Sequence, residues 1–243
     1  MEIIKINAIG STNDYLKQLS KNFSVSDGAV VWTLNQTQGR GQLGANWYFE
    51  IGKSLAFSVF KRFEGFSGTN QFFINFAVSL GVKRGLEQLG IPKITIKWPN
   101  DILADGKKVC GILVENQFLQ QQLSHSVIGV GINVNNEGFR ALPQASSLLL
   151  NTGVRYAVEE VLKKTAEAMA KEFDRLEDGD FDAVKQDYEI GLFRKGQIST
   201  FETSDRRRFN GVVEGVTSLG MLQVRVEGGA IQWFQTKDVK LLY

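Results

Sequence analysis

Three separated segments of the chain set basic and polar residues among glycines and apolar residues. The first runs from Gln36 through Gly39-Arg40-Gly41-Gln42-Leu43-Gly44 to Trp47. Glycines let backbone amides approach a ligand closely, and a guanidinium between them offers a forked donor to a carboxylate or phosphate. The second runs from Lys97-Trp98-Pro99-Asn100-Asp101 to Lys107-Lys108 and Gly111. Pro99 forces Trp98 into an extended conformation, which sets Asn100 and Asp101 at a strand boundary, able to donate, accept or hold a cation. Lys108 heads an apolar strand, where an ammonium held against apolar walls by an anionic partner is a fixed positive charge; Lys107 reads as its solvated neighbour. The third, Ile128-Gly129-Val130-Gly131-Ile132-Asn133, has glycine at alternate positions and so clears one strand face for something flat.

Other chemistries fit less well. Gly39 to Gly44 matches G-x-G-x-x-G, but a dinucleotide fingerprint opens a helix, and Asn46-Trp47-Tyr48-Phe49 reads as extended. A kinase glycine loop lies between strands, yet the chain contains no H-R-D or D-F-G element. Gly52-Lys53-Ser54 ends like a P-loop, but Trp47 stands where the first Walker glycine belongs. His125 reads as a packed or edge residue and Cys110 as a small core residue.

Composition narrows the classes further. Over 243 residues, 28 Lys and Arg face 26 Asp and Glu, a net +2 that is too small for a protein whose main work is neutralising nucleic-acid phosphates. One cysteine and one histidine exclude an internal disulfide and a thiolate cluster, and leave little for a zinc site or a hydrolase triad. No apolar leader opens the chain and no run approaches the ~18 apolar residues of a membrane span, so a cytoplasmic protein without membrane contact is expected.

The elements that must position these groups follow from spacing. Ser11 reads as the N-cap of an amphipathic helix to about Lys21, and Ala29–Thr33 and Leu55–Lys61, the latter alternating in and out, as strands flanking the Thr37–Asn46 loop. Gln71–Leu89 predicts a largely buried helix, and Val158–Leu176 an amphipathic one. Between them, strands at Ile94–Trp98, Lys108–Glu115 and Ser124–Val134 suggest an antiparallel meander, with a turn at Ala104–Lys107 and a polar connection over Asn116–Gln122. After Leu192 the texture changes to short alternating strands, Ile198–Phe201, Phe209–Glu214, Met221–Val226 and Ile231–Gln235, which suit a small barrel. Arg206-Arg207-Arg208 reads as a solvated turn. The fold class is α+β, with domains at residues 1–191 and 192–243.

Taken together, Ser11-Thr12-Asn13, Gln36 with Gly39-Arg40-Gly41, Lys97-Trp98-Pro99-Asn100-Asp101, Lys108 with Gly111, and Gly129-Val130-Gly131-Ile132-Asn133 resemble the biotin protein ligases across essentially the whole chain. The resemblance implies a class II synthetase-like catalytic domain, a central mixed sheet flanked by helices, followed by a small SH3-like barrel. It implies biotin, ATP and Mg²⁺ as ligands, biotinyl-AMP as intermediate and a biotin carboxyl carrier domain as partner. Lys108 and Arg40 would then be catalytic. Ser11, Thr12 and Gln36 would hydrogen-bond the ureido ring, Trp47 and Trp98 would form apolar walls, and Asn133 and Asp101 would lie near the phosphates and metal. Asn13, Gly39, Gly41, Gln42, Asn100, Gly111, Gly129 and Gly131 complete the implied binding set. Folding of the Gly39–Trp47 loop over the intermediate would keep water from it.

Two departures stand out. Family members that also act as repressors carry a winged helix-turn-helix ahead of the Ser-Thr-Asn element, which here begins at position 11, so no DNA binding is expected. Gln42 stands where many members have a basic residue, which bears on retention of the intermediate. An edge-paired homodimer is compatible with such a sheet. The nearest alternative enzyme is a lipoate or octanoate ligase or transferase on a related fold; from another class, a catalytically inert biotin-sensing module.

Overall fold

A computed structural model describes residues 2–63, 66–120, 122–139 and 142–243. The chain forms, in order, β1 (Ile3–Ile6), α1 (Thr12–Asn22), β2 (Val30–Thr33), β3 (Ser54–Arg62), α2 (Gln71–Gln88), β4 (Ile94–Lys97), β5 (Asp101–Ala104), β6 (Lys107–Leu119), β7 (Gln122–Asn133), α3 (Leu148–Thr152), α4 (Val158–Glu177) and α5 (Phe181–Ile190). Five further strands follow: β8 (Ile198–Thr203), β9 (Arg208–Val216), β10 (Leu222–Val226), β11 (Ile231–Phe234) and β12 (Val239–Leu242). The first seven strands make one mixed sheet, β1-β2-β3-β7-β6-β5-β4, in which only β1 and β2 run parallel. The last five make a separate antiparallel sheet, β11-β10-β9-β8-β12.

Both faces of the large sheet are covered. Leu55, Phe57 and Val59 of β3 join the main core with Phe76, Leu80 and Met169 of α2 and α4, while Phe60 packs with Leu16 of α1 on the other side. Eight of the nine β3 residues are therefore buried, where alternation predicted an exposed face. Ser11 caps α1 as expected, its Oγ accepting from Asp14 N at 3.3 Å.

The meander has one strand more than its spacing suggested. Asp101–Ala104 is itself a strand, short enough to pass for a turn between Pro99 and Gly106. Asp105 and Gly106, both with positive φ (47° and 76°), make the tight turn into β6. Asn116–Leu119 and Gln122 extend the β6–β7 hairpin instead of forming a loop, with Asn116 paired across to Ser126. The glycine loop contains a single 3-10 turn, Gln42–Gly44, too short to be a helix with a phosphate-binding end.

The connection from α5 to β8 runs along the β4 edge of the large sheet, and the turn between β9 and β10 meets Trp98 just beyond it. Ile96 N donates to Gly191 O and Phe193 N to Ile96 O, both at 2.8 Å, and Trp98 Nε1 donates to Gly220 O at 2.9 Å. Among the described residues no helix is long and apolar enough to cross a membrane.

Candidate active site

Strand register builds the floor. Lys97 pairs with Asp101, Asp101 with Gly111, Gly111 with Gly131 and Gly131 with Ala56, so one row crosses five strands on one face. Its middle carries no side chain larger than a methyl group. The next row sets Ser58 beside Gly129 and Gly129 beside Leu113. The bare strip is filled by Trp47, whose indole lies so close that a Cβ on Gly131 would fall 2.5 Å from its Cε2 and one on Gly111 2.9 Å from its Cζ3. Gly129 makes the same room for Asn13.

Lys108 reaches this face because of a bulge. The β5–β6 register shifts between Ile102 and Leu103, and Val109 and Cys110 both enter the core. The extra residue reverses the alternation and turns Lys108 back toward the glycine strip. Its Nζ lies 2.5 Å from Asp101 Oδ1 and 5.6 Å from the Trp47 ring centre. Lys107 is exposed, as expected. Burial pushes the Cys110 thiol far up, so it is inert.

Two cavities open over the floor. One, of about 210 Å³, is bounded by Thr12, Asn13, Gln36 and Arg40 on the side of α1 and by Asn100, Asp101 and Lys108 across the floor, with Gln42, Trp47, Gly111, Gly129 and Gly131 also in its walls. The second, of about 360 Å³, is bounded by Tyr48, Phe139, Leu142, Asn133, Lys97 and Tyr243. Trp47, Asp101 and Lys108 belong to the walls of both.

The α1 end is a fixed hydrogen-bond array. Gln36 Oε1 accepts from Thr12 N at 3.0 Å and Thr12 Oγ1 at 3.3 Å, which leaves its amide nitrogen as a donor. Asn13 Nδ2 donates to Glu115 Oε2 at 2.8 Å, and its Oδ1 accepts from Ser58 Oγ at 2.5 Å. Lys17 bridges Glu115 (2.7 Å) and Asp14 (3.0 Å), and Asp14 pairs with Arg40. Burial works to raise the Asp14 pKa, and Lys17 and Arg40 more than offset it, holding the carboxyl below its ordinary value.

The remaining sequence-derived residues fall in distinct places. Gly39 accepts from Trp47 N at 3.0 Å and leaves room for Gln36, while Gly41 N donates to Ala45 O at 2.6 Å. The Asn100 amide is spent on Ile112 O, clamping β5 to β6. Asn133 Nδ2 donates to Ser146 O at 3.0 Å, and its buried Oδ1 has no partner; neither has Trp47 Nε1. Ser11 caps α1 and Trp98 bonds the C-terminal sheet, and neither bounds the two cavities. His125 packs on Phe60 at 4.8 Å, far along β7. A protein-held metal at Asp101 does not fit. Lys108 occupies Oδ1, Lys97 stands 4.0 Å from Oδ2, and no group of three acidic, His or Cys residues converges among the described residues.

Sequence reasoning missed Ser58, Glu115 and Tyr243, and it named Lys97 within its motif without giving it a role. A serine inside the apolar β3 run and a glutamate ending the apolar part of β6 were visible signals. Tyr243 reaches the second cavity only through the packing of the two sheets.

Known proteins share this chain's sequence pattern and its architecture. The model of the biotin/lipoate A/B protein ligase family matches residues 6–133. The bifunctional ligase/repressor BirA of Bacillus subtilis is 34% identical over 136 residues, 56% of this chain and 41% of its own. The chain thus spans about two fifths of the length of the first curated relatives it matches. The biotin–[acetyl-CoA-carboxylase] ligase of Paracoccus denitrificans is 28% identical over 224 residues, covering 90% of this chain and 92% of its own. The solved biotin protein ligase from Aquifex aeolicus in complex with biotin and ATP superposes with a TM-score of 0.81 at 26% identity, covering 99% and 98% of the two chains. On the family match over more than half its length, and on an architecture shared end to end with that structure, the chain belongs to the biotin/lipoate A/B protein ligase family.

Proposed function

We propose that this chain is a biotin protein ligase, which joins biotin to ATP as biotinyl-5′-AMP and passes the acyl group to a lysine of a biotin carboxyl carrier domain. The observation that carries this reading is the place of Lys108 in the wall shared by two cavities, one ending in the hydrogen-bonding side chains of Thr12, Asn13 and Gln36 and the other lined by aromatic rings. A carboxylate and a polyphosphate repel each other, so a reaction between them needs a cation where they meet. Lys108 is that cation, and Trp47 is the apolar surface beside it.

Biotin enters with its ureido ring toward Thr12, Asn13 and Gln36 and its acid toward Lys108 and Arg40. ATP takes the second cavity, where Tyr48 and Phe139 suit a base and the unpartnered Asn133 Oδ1 accepts an N–H. A carboxylate oxygen attacks the α-phosphorus. The bond from that phosphorus to the bridging oxygen breaks, and pyrophosphate leaves with the electron pair. In the second step the acceptor amine attacks the acyl carbon, the acyl–phosphate C–O bond breaks, AMP departs, and the amine gives its proton to solvent. Mg²⁺ enters only as the nucleotide's counter-ion. Closure of the Gly39–Trp47 loop keeps water off the intermediate until the amine arrives. The acetyl-CoA carboxylase ligase named above supports a carboxylase carrier as acceptor.

Incubation with ATP, Mg²⁺, biotin and a carrier domain, followed by intact mass, tests this. A biotin-sized gain on the carrier is expected. A gain with lipoate but not biotin would select the other branch of the family, and no gain with either would remove the ligase reading.

A further inference from the structure

We propose that Lys97 binds the polyphosphate of the nucleotide and holds pyrophosphate as it leaves, with Tyr243 as the residue that positions it. This assignment rests on the ligase reading above. Lys97 occupies the same cross-strand row as Asp101 and the glycine strip, one strand beyond Asp101 and on the same face. It therefore points into the second cavity, on the side away from the α1 array. In a displacement at phosphorus the attacking and leaving oxygens lie roughly in line. A carboxylate entering past Arg40 drives the leaving group toward Lys97.

The charge count favours an anion there. Lys97 and Lys108 share Asp101 as their carboxylate, and Lys240 adds further positive charge to the field at Lys97. Asp101 is already committed to Lys108 at 2.5 Å, and Lys97 stands off at 4.0 Å, beyond hydrogen-bond distance. The side chain of Lys97 is only 17% exposed, so water compensates it poorly. Burial lowers its pKa, Asp101 offsets part of that, and the two lysines add to the lowering. A multiply charged phosphate anion neutralises the excess.

Tyr243 fixes where the ammonium sits. Its ring centre lies 5.4 Å from Lys97 Nζ, in cation–π range, and Phe193 holds the ring edge-on at 5.2 Å. Gln144 Nε2 donates to the main-chain oxygen of Tyr243 at 2.5 Å, tying it to the 142–145 segment that borders the second cavity. The C-terminal sheet thereby contributes to the phosphate side of the site.

Lys97→Gln, Lys97→Arg and Tyr243→Leu in the full chain test the assignment through two partial reactions. Biotin-dependent exchange of pyrophosphate into ATP requires pyrophosphate binding, whereas transfer from synthetic biotinyl-AMP to the carrier does not. Lys97→Gln should raise KM for pyrophosphate about tenfold or more, as loss of a charge-assisted contact does. Transfer should fall no more than about threefold, and Lys97→Arg should restore most of the exchange. Tyr243→Leu should raise the same KM by a smaller factor. An unchanged KM in Lys97→Gln, or equal losses in exchange and transfer, overturns the proposal. If the parent shows no biotin-dependent exchange, the ligase reading fails instead. The site itself is then read by thermal stabilisation with inorganic tripolyphosphate, which the parent should show and Lys97→Gln should lose; equal stabilisation of both overturns it.

Discussion

Gly131→Ala separates the catalytic floor from the scaffold that carries it. The Gly131 backbone is not left-handed, so only space is at stake. The added methyl would fall 2.5 Å from Trp47 Cε2 and 2.7 Å from its Nε1, where ordinary contact begins near 3.4 Å. The indole must retreat by about 1 Å, and a displacement of that size in a reacting site costs on the order of 10²-fold in rate. Trp47 sits on a half-exposed loop that can give, and alanine is favoured over glycine in a strand by about 0.5–1 kcal/mol, so stability should change little. Biotin-dependent pyrophosphate exchange and urea unfolding on the same preparation measure the two quantities. Gly81→Ala is the counterpart: its methyl would lie 2.5 Å from Met169 Cα, so α2 and α4 must part. That should cost about 1–3 kcal/mol while leaving the activity per folded molecule intact. Normal exchange by Gly131→Ala, with biotin KM unaltered, would show that the glycine strip and its indole do not form the floor of the reaction site.

Other outcomes follow from the same geometry. Lys108→Ala should lower adenylation by ~10²-fold or more, since it removes the one cation common to both cavities; unchanged pyrophosphate exchange would remove it from the chemistry. Asp14→Asn frees Arg40 and should tighten biotin binding by up to about fivefold, the scale of a half-exposed ion pair. Weaker binding on calorimetry would mean that Asp14 presents Arg40 to the ligand. Because the Asp14 carboxyl is held below its ordinary value, the pair contributes above the unfolded pKa and is lost only as pH falls through the folded one, so the effect of Asp14→Asn should be constant from pH 5 to 8. Cys110 should resist thiol reagents in the native protein and react once denatured; native labelling would contradict its burial.

The chemistry was more legible in the sequence than the frame that aims it. Lys108, Arg40, Gln36, Thr12 and the alternating glycines meet in one cavity because chemistry forces unusual residues into otherwise apolar strands, and such exceptions are visible without a structure. The bulge at Val109 was not visible, since a register shift depends on what β5 offers opposite, and β5 itself is only four residues long. Ser11 and Trp98 show the converse. Each matches a motif, yet one is spent on capping α1 and the other on the Gly220 carbonyl. A short motif records that a residue is needed without recording for what. Lys97 and Tyr243 come together across the two sheets, a long-range contact with no local signature.

Crystals grown with biotin and ATP would put the electrostatic argument to its plainest trial. The acyl-phosphate oxygens of the product should lie about 3 Å from Lys108 Nζ, with the Arg40 guanidinium turned from Asp14 toward the ligand and Trp47 packed on it. A ligand whose acid end projects into solvent, with Lys108 still bonded only to Asp101 and Arg40 still on Asp14, would contradict the mechanism.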